Sequence, residues 1–399
     1  MTRVLEAWLE GIYVGQFRED ARSVTFVYDR DAPQTPISLS LPRNAAATRN
    51  AAAHYLENLL PDVERARQWM KRVTGAASVG SFDLLEKVGG DIAGGLILLP
   101  DGEPVPARAQ VLDPATEDQI AERIHTLKRD SDMWLEPDGR ARFSMAGSQA
   151  KFALAAIDGD WYWSNASLPS THILKPGNPK TPGVEHLEAA SLALARAAGI
   201  DAADGSIVST LDESTYIVSR FDRIDGKRIH AEDFAQAGGT KSDLKYGVMA
   251  RQAVAMLHTA GALDDLGYRF VSQLAFNTML GNADAHAKNY SLLIRPSGIS
   301  LAPLYDSLPT IAWPEYDKKL AMKIGGAQFA PQVSLEHWRK FAGVSGLDPD
   351  RVTAQVSRIA LSMGENLDLL RGGIDLEQFN AVEAAIMRNV DKVVARAPQ

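Results

Sequence analysis

The chain has 399 residues, 45% hydrophobic and 23% charged, the composition of a globular protein with two or three packed units. It contains zero Cys, which excludes disulfides, thiolate metal sites and a cysteine nucleophile, and agrees with a reducing cytoplasm. A formal net charge of −8 argues against broad attraction to nucleic acid, so a role on DNA would need a local patch or a partner protein.

The chain begins with MTRVLEAWLEGIYVG, where Glu6 and Glu10 interrupt the apolar stretch that a signal peptide needs. No apolar run approaches the roughly 18 residues that span a bilayer. We therefore expect a cytoplasmic protein with no membrane partner.

The first hundred residues predict strands in RVLEAWLE, IYVGQF and TFVYD, followed by one helical zone, NAAAHYLENLLPDVERARQWMKRV. Four basic residues of that zone are typical of the solvated side of a helix, and they are Arg65, Arg67, Lys71 and Arg72. Pro and Gly density near residues 100 to 118 predicts a boundary, which gives an N-terminal α+β unit at 1–105.

From 106 to 225 the pattern predicts a small sheet that carries one helix, GVEHLEAASLALARAAG. Its strands are expected in RARFSMAG, KFALAAI, DWYWSNA, THILKP and STYIVSRFD. From 226 to 399 the pattern is mostly helical. The sequence thus predicts an α+β protein in which a strand-rich lobe precedes a helical lobe, with a cleft between them.

The segment GNADAHAKNYSLLI, residues 281–294, places polar residues between two apolar runs. The helix before it, GYRFVSQLAFNTMLGN, is apolar almost all round, so we expect a buried helix that ends at Gly281. After Asn289 the pattern predicts a hairpin whose second strand, ISLAPLYD, returns Asp306 to the edge where Asn289 lies. Asp284, Asn289 and Asp306 are therefore expected to converge.

Two acids and an amide at the mouth of one hairpin suit phosphoryl transfer. Asp284 can accept the proton of an attacking hydroxyl, while Asn289 and Asp306 hold Mg²⁺ against the phosphate oxygens. The D-x-x-x-x-N spacing and the later Asp follow the order of kinase catalytic and metal residues. Alone this pattern is weak, because such a spacing arises about once by chance in a chain of this length. YDS also stands where kinases carry DFG, and a capped loop is the plain alternative.

Two upstream segments suit the binding of nucleotide phosphates. SMAGSQAK, residues 144–151, offers backbone N–H groups near Gly147, although an ordinary hairpin turn is the alternative. In THILKP, Lys175 lies on one face of a strand that Pro176 stops, a position suited to neutralising phosphates. Glu188 on the following helix is a candidate ion-pair partner, and Lys151 competes with Lys175 for the role.

The segment STYIVSRFDR follows the last strand of the small sheet and predicts a hinge. The backbone of Ser219, Phe221 and Asp222 can there hydrogen-bond a purine. A linker with a salt-bridged Arg-Asp-Arg is the alternative interpretation of the same residues.

Taken in order, FSMAGSQAK, THILKP, IVSRFDR, GNADAHAKNYS and LAPLYD resemble the HipA-like serine/threonine kinases, the toxins of bacterial toxin–antitoxin pairs. PISLSLP, ENLLPD and FDLLEKVGGDIAGGLILLP resemble the amino-terminal subdomain of that family, so the resemblance runs the length of the chain. It implies a bilobal kinase fold, distantly similar to phosphoinositide kinases, that uses ATP and Mg²⁺.

The resemblance also implies roles for single residues. Asp284 matches the catalytic residue, with His286 and Lys288 in its loop, and Asn289 and Asp306 match the Mg²⁺ ligands. Lys175 is implied on the ATP phosphates. The loop over the nucleotide is implied to contain Ser144, Ala146, Gly147, Ser148, Gln149 and Lys151.

Ser144 matches the serine that this family autophosphorylates. A phosphate carrying about −1.5 to −2 charges beside bound ATP would eject the loop by repulsion and silence the enzyme. Ser148 lies close enough to be a second candidate. Ser219 departs from the acidic residue expected at the hinge, which weakens only a claim for that side chain, since backbone groups contact the adenine.

The implied protein substrate is an aminoacyl-tRNA synthetase, notably the glutamyl enzyme, whose phosphorylation stalls translation and arrests growth. The implied partner is a small HipB-like helix-turn-helix antitoxin that binds operator DNA and the kinase together. Two alternatives are a corepressor that binds its antitoxin without catalysis, and a metal-dependent ATP hydrolase that uses Asp284, His286 and Asp306.

Overall fold

The computed structural model describes residues 2–104, 111–135, 146–147, 149–211, 213–260, 263–372 and 374–394, with the backbone alone at 263 and 264. The chain forms two compact units. The first contains 1–177, 205–244 and 291–299, and the second contains 178–204, 245–290 and 300–399. Within the described ranges no helix combines the length and the apolar content that crossing a bilayer requires. The division of the chain at 105 and 225 stays a prediction.

The first unit begins with a four-stranded antiparallel sheet, in which three strands were predicted from the sequence and the fourth, Leu96–Pro100, was not. Its strands are β1 (Arg3–Leu9), β2 (Ile12–Glu19), β3 (Val24–Tyr28) and β4 (Leu96–Pro100), in the order β3-β2-β1-β4. Three helices follow β3 along the chain, α1 (Ala51–Asn58), α2 (Glu64–Thr74) and α3 (Ser81–Val88).

The helical zone predicted in NAAAHYLENLLPDVERARQWMKRV is confirmed, and it contains two separate helices, α1 and α2. Pro61 stands in the break, where its ring and missing N–H prevent one continuous helix. The Arg67 guanidinium donates to the carbonyl oxygens of Pro61 at 2.6 Å and Glu57 at 3.3 Å, so it satisfies the end of α1. Arg65 and Arg72 are exposed, as expected for a solvated helix side.

A five-stranded antiparallel sheet follows α4 (Glu117–Arg129) in the first unit. Its strands are β5 (Phe152–Ile157), β6 (Asp160–Trp163), β7 (His172–Pro176), β8 (Gly205–Thr210) and β9 (Glu213–Ser219), in the order β6-β5-β7-β9-β8. The strands predicted in KFALAAI, DWYWSNA, THILKP and STYIVSRFD are confirmed. The strand predicted in RARFSMAG lies outside the described residues except for Ala146 and Gly147.

One hydrophobic core joins the two sheets of the first unit. Leu5 and Phe17 of the first sheet belong to the same buried cluster as Phe152, Leu154 and Leu174 of the second. Short elements complete this unit. They are β10 (Arg223–Ile224), β11 (Lys227–Arg228), β12 (Ala231–Asp233), α6 (Phe234–Ala237) and β13 (Ser291–Arg295). A further strand, β14 (Gly298–Leu301), completes the sheet β12-β13-β14 and the predicted hairpin.

The second unit is mainly helical. Its helices are α5 (Val184–Ala197), α7 (Ala250–Thr259), α8 (Leu263–Leu280), α9 (Leu335–Val344), α10 (Pro349–Glu365) and α11 (Leu376–Asp391). The strands β15 (Lys319–Ile324) and β16 (Ala327–Phe329) form a small hairpin. The central helix α10 packs on α5, α8, α9 and α11. The helix α5, grouped from sequence with the neighbouring strands, thus belongs to the helical unit.

Glu232 on β12 is a carboxyl group buried in the first unit. Its Oε1 accepts a hydrogen bond from the backbone N–H of Leu39 at 2.9 Å, and burial raises its pKa to about 8. The carboxyl therefore stays protonated in the folded chain at pH values where it ionises in the unfolded chain. As a result, the stability that it contributes is complete below pH 4.5 and is lost as the pH rises through 8.

We expect Glu232→Gln to match the wild type in stability at pH 5 and to exceed it by on the order of 3 kcal/mol at pH 8. The Gln amide keeps a donor and an acceptor but does not titrate. Urea unfolding at several pH values measures this difference. Burial lowers the pKa of the neighbouring His230 to about 4, and its effect is common to both proteins and cancels. Parallel pH profiles for the two proteins would contradict the prediction.

Candidate active site

The end of α8 fixes where the polar segment 281–289 begins. The helix stops at Gly281, whose φ of 76° is the left-handed conformation that favours glycine. The N–H of Asn282 donates to the carbonyl oxygen of Asn277 at 2.9 Å, which satisfies the end of the helix. A Cβ on Gly281 would lie 3.0 Å from Ile311, so the turn is also closely packed. Asp284 therefore follows a buried helix with a defined end, as predicted.

Asn277 on α8 connects three parts of the site. Its Nδ2 donates to the hydroxyl of Tyr290 at 3.1 Å, and its Oδ1 accepts from Asn282 at 3.0 Å and from Ser307 at 2.6 Å. All of these side chains are buried, so the bonds form in a low-dielectric interior. The network holds the residues before Asp284, after Asn289 and after Asp306 against one helix.

Asn289 brings the three predicted residues together. It ends the short 3₁₀ helix Ala287–Asn289, and its Nδ2 donates to the backbone carbonyls of Asp284 at 3.2 Å and Asp306 at 3.5 Å. The convergence expected from the hairpin is confirmed. Because the amide nitrogen is used in these bonds, the side-chain oxygen of Asn289 is the atom that remains to coordinate a cation.

The backbone at Asp306 is strained. Its φ of 52° lies in the left-handed region, which costs energy for a residue other than glycine. The hydroxyl of the neighbouring Tyr305 donates to the carbonyl oxygen of Lys288 at 2.8 Å, which fastens this turn to the segment 284–289. Strain held by surrounding contacts is typical of functional sites.

Asp284 keeps its carboxylate partly accessible, with 36% of the side chain exposed. The backbone groups of Asp284 form hydrogen bonds within the loop. The N–H donates to Asn282 Oδ1 at 3.0 Å, and the carbonyl oxygen accepts from His286 N–H at 2.7 Å. The His286 Nε2 lies 3.9 Å from Asp284 Oδ1, and both His286 and Lys288 are buried. The Tyr246 hydroxyl donates to Asp284 Oδ1.

The donor set at this site fits Mg²⁺. Asp306 offers a carboxylate and Asn289 an amide oxygen, both hard oxygen donors of the kind that Mg²⁺ prefers. Mg²⁺ in phosphoryl-transfer sites needs only one or two protein carboxylates, because substrate phosphates and water fill the other positions. In the part of the chain that the structure describes, no group of three or more His, Asp or Glu side chains is arranged to hold a metal by itself.

The loop predicted to cover the nucleotide is described in part. Ser144 and Ser148 lie outside the described residues, while the Gly147 carbonyl accepts from the Asp62 N–H at 3.0 Å. Lys151 is buried, its Nζ donates to the Ala146 carbonyl at 3.2 Å, and the same atom lies 4.7 Å from the centre of the Trp134 ring. Lys151 thus helps to hold this loop. Gln149 is half-buried.

Lys175 lies on β7 of the first unit, opposite Tyr216 of β9, and its side chain is buried. A buried lysine in a strand is uncommon and needs a compensating partner. Glu188 on α5 of the second unit is also buried. Their pairing stays a prediction.

The predicted hinge contains a buried ion cluster. Arg220 donates to Asp222 through Nε at 2.9 Å and Nη2 at 2.7 Å, and Arg223 lies 3.1 Å from the same carboxylate. Arg223 also donates to Asp91 at 3.0 Å. The salt-bridged Arg-Asp-Arg is confirmed, and its second acid, Asp91, was missed. Ser219 is exposed at the end of β9, and Phe221 is half-buried. Contact between these residues and a nucleotide stays a prediction.

Sequence reasoning also missed Asn277, Ser307 and Tyr246. A polar residue within an almost wholly apolar helix is a signal that could have found Asn277. The spacing of Ser307 and Tyr246 carries no such signal, because both join the site only through the fold.

Family models match most of the chain. The HipA N-terminal domain matches residues 5–99, and the HipA-like C-terminal domain matches residues 143–367, which include Asp284, Asn289 and Asp306.

Single relatives and a solved structure agree. The chain is 34% identical to Y4mE of Sinorhizobium fredii, which is named as a kinase, over 99% of this chain and 98% of the relative. It is 29% identical to the serine/threonine-protein kinase toxin HipA of Shewanella oneidensis, over 90% of this chain and 87% of that protein. A Shewanella oneidensis structure of HipA with HipB and operator DNA matches with a TM-score of 0.82, 25% identity and coverage of 98% and 96%. The expected α+β fold class is confirmed.

Proposed function

Because this chain belongs to the HipA family of serine/threonine kinase toxins, we propose that it transfers the γ-phosphoryl group of ATP to a serine of a protein substrate. We propose further that it acts as the toxin of a bacterial toxin–antitoxin pair in the cytoplasm, where ATP and the proposed substrate are found.

The convergence of Asp284, Asn289 and Asp306 carries this proposal. Asn289 hydrogen-bonds the backbone of both aspartates, and Asn277 holds the flanking segments. Phosphoryl transfer needs little covalent chemistry from the protein, since positioning and charge stabilisation supply most of the acceleration. A rigid set of one accessible acid and two oxygen ligands meets that need.

Each residue has one role in the proposal. Asp284 accepts a hydrogen bond and then the proton from the substrate hydroxyl, which makes the attacking oxygen more nucleophilic. His286 and Lys288 are buried in the same loop and fix its shape. Asn289 and Asp306 would hold Mg²⁺, which when bound neutralises charge on the transferring phosphoryl group.

The first unit supplies the proposed nucleotide contacts. Lys175 neutralises the ATP phosphates, with Glu188 as its ion-pair partner, while Lys151 supports the covering loop through Ala146. The backbone after Ser219 is proposed to meet the adenine, with Phe221 beside it. The Asp222 carboxylate is engaged by two arginines, so its proposed contribution to the hinge is structural.

We assign Ser144 as the autophosphorylated residue and Ser148 as its competitor. A phosphate there adds negative charge next to ATP and turns the kinase off. As protein substrate we propose an aminoacyl-tRNA synthetase, with the glutamyl enzyme first. As partner we propose a HipB-like antitoxin that contacts operator DNA, since the Shewanella structure is a complex of HipA, HipB and operator DNA.

Purified synthetases incubated with the unphosphorylated chain and Mg-ATP test the proposal. We expect phosphoserine on one synthetase, with a progress curve that slows for the wild type and stays linear for Ser144→Ala, since that variant cannot silence itself. Ser148→Ala is the matched control and should slow like the wild type. Release of inorganic phosphate without any phosphoprotein would favour the ATP hydrolase and contradict the kinase.

A further inference from the structure

Tyr246 contacts the partly exposed carboxylate of Asp284. Its hydroxyl donates a hydrogen bond to Asp284 Oδ1, and its ring meets the His286 ring edge-to-face, with centroids 4.9 Å apart at 85°. The Lys245 Nζ lies 5.3 Å from the centre of the same ring. Although its hydroxyl reaches the aspartate, 52% of Tyr246 is exposed to solvent.

Tyr246 contacts the carboxylate that a kinase acceptor needs. A catalytic Asp must accept a hydrogen bond from the attacking hydroxyl before it can take the proton. A tyrosine hydroxyl and a serine hydroxyl are donors of the same kind, so either can fill the same acceptor site on the carboxylate. We propose that the Tyr246 hydroxyl stands in for the substrate hydroxyl on Asp284 and that the acceptor serine must displace it. This inference rests on the proposed function.

Displacement of Tyr246 is compatible with its surroundings. It lies in the short 3₁₀ helix Ser242–Gly247, and a Cβ added at Gly247 would meet open space. A rotation of the half-exposed ring replaces one charge-assisted hydrogen bond on Asp284 by another from the acceptor. In the absence of an acceptor, the tyrosine keeps water from the same position, so it also suppresses hydrolysis of ATP.

Tyr316 provides a matched control. It is 42% exposed, and burial together with the nearby Asp284 and Glu315 charges raises its pKa. It therefore lies in the field of the same aspartate, yet among the described residues it makes no hydrogen bond to Asp284. Tyr316→Phe thus removes a phenol near the site without removing the proposed competitor.

The test compares wild type, Tyr246→Phe and Tyr316→Phe, all unphosphorylated. The acceptor is a peptide of this chain's own sequence RARFSMAGSQAK, which carries two serines. We expect Tyr246→Phe to lower the peptide KM roughly tenfold, the effect of one charge-assisted hydrogen bond, and to leave the ATP KM unchanged. ADP release without peptide should rise several-fold. Tyr316→Phe should change neither quantity.

An unchanged or raised peptide KM in Tyr246→Phe would overturn the inference, and a fall in kcat alone would make Tyr246 a positioning residue for Asp284. Equal phosphopeptide formation by wild type and Asp284→Ala would instead overturn the proposed function. In that event the displacement of Tyr246 can still be tested by peptide binding in the presence of a non-hydrolysable ATP analogue. Fluorescence anisotropy measures that binding. Tighter binding by Tyr246→Phe supports the displacement, and equal binding refutes it.

Discussion

Asp284→Asn is expected to lower the rate of phosphoryl transfer by about 10³-fold, since the amide cannot take the proton of the attacking hydroxyl. ATP binding should be retained, because the proposed phosphate and metal contacts lie on other residues. The fold should also be retained, because Asp284 supports its loop through backbone groups, which bond to Asn282, His286 and Asn289. Single-turnover transfer from labelled ATP measures the loss.

As controls, the free energy of unfolding and the ATP affinity of Asp284→Asn are measured beside those of the wild type. Both should match the wild type, so that a loss of transfer reports chemistry alone. A variant that keeps more than about a tenth of the wild-type rate would contradict the role of Asp284 as proton acceptor, since general-base contributions are larger than this.

Asp222→Asn is expected to destabilise the protein by about 3–5 kcal/mol, because it leaves two buried guanidinium groups without their shared counter-charge. The side chains of Arg220 and Arg223 are each 3% exposed. Burial alone would raise the pKa of Asp222, but the two arginines and the Gly94 N–H hold it well below its usual range. Its contribution is therefore present above the unfolded pKa and is lost only as the pH falls through the lower folded value.

Urea unfolding at neutral pH measures this cost, with Asp201→Asn as the matched control. Asp201 also pairs with an arginine, Arg269, at 3.3 Å, but its side chain is 58% exposed. Solvent screens such a pair, so the control should lose less than about 1 kcal/mol. Similar losses in the two variants would show that the buried cluster adds no more than a surface pair.

Local patterns predicted the elements that place the site. Alternating residues gave β1 and β2, and the almost wholly apolar GYRFVSQLAFNTML gave α8 with its stop at Gly281. The convergence of Asn289 with Asp306 followed from the hairpin alone, since strand geometry returns the two ends to one edge. These predictions are confirmed because hydrophobic periodicity and turn-forming residues determine structure over only a few residues.

Long-range contacts could not be predicted in this way. Helix-forming residues lie on both sides of Pro61, so composition predicted a helical zone but not the break between α1 and α2. Asp91 meets Arg223 from a distant part of the chain, and Tyr246 reaches Asp284 from the segment before α7. Such partners have no fixed spacing, because only tertiary packing brings them together.

The intact mass of the chain after incubation with Mg-ATP tests the kinase assignment most directly. The sample must first be shown to be unphosphorylated, and Asp284→Ala is treated in parallel. We predict the gain of one phosphate in the wild type, mapped by peptide analysis to Ser144, and no gain in Asp284→Ala. An equal gain in the two proteins would contradict autophosphorylation through Asp284. No gain in either protein while ATP is bound would also contradict it, and would favour the alternative in which the chain binds an antitoxin without catalysis.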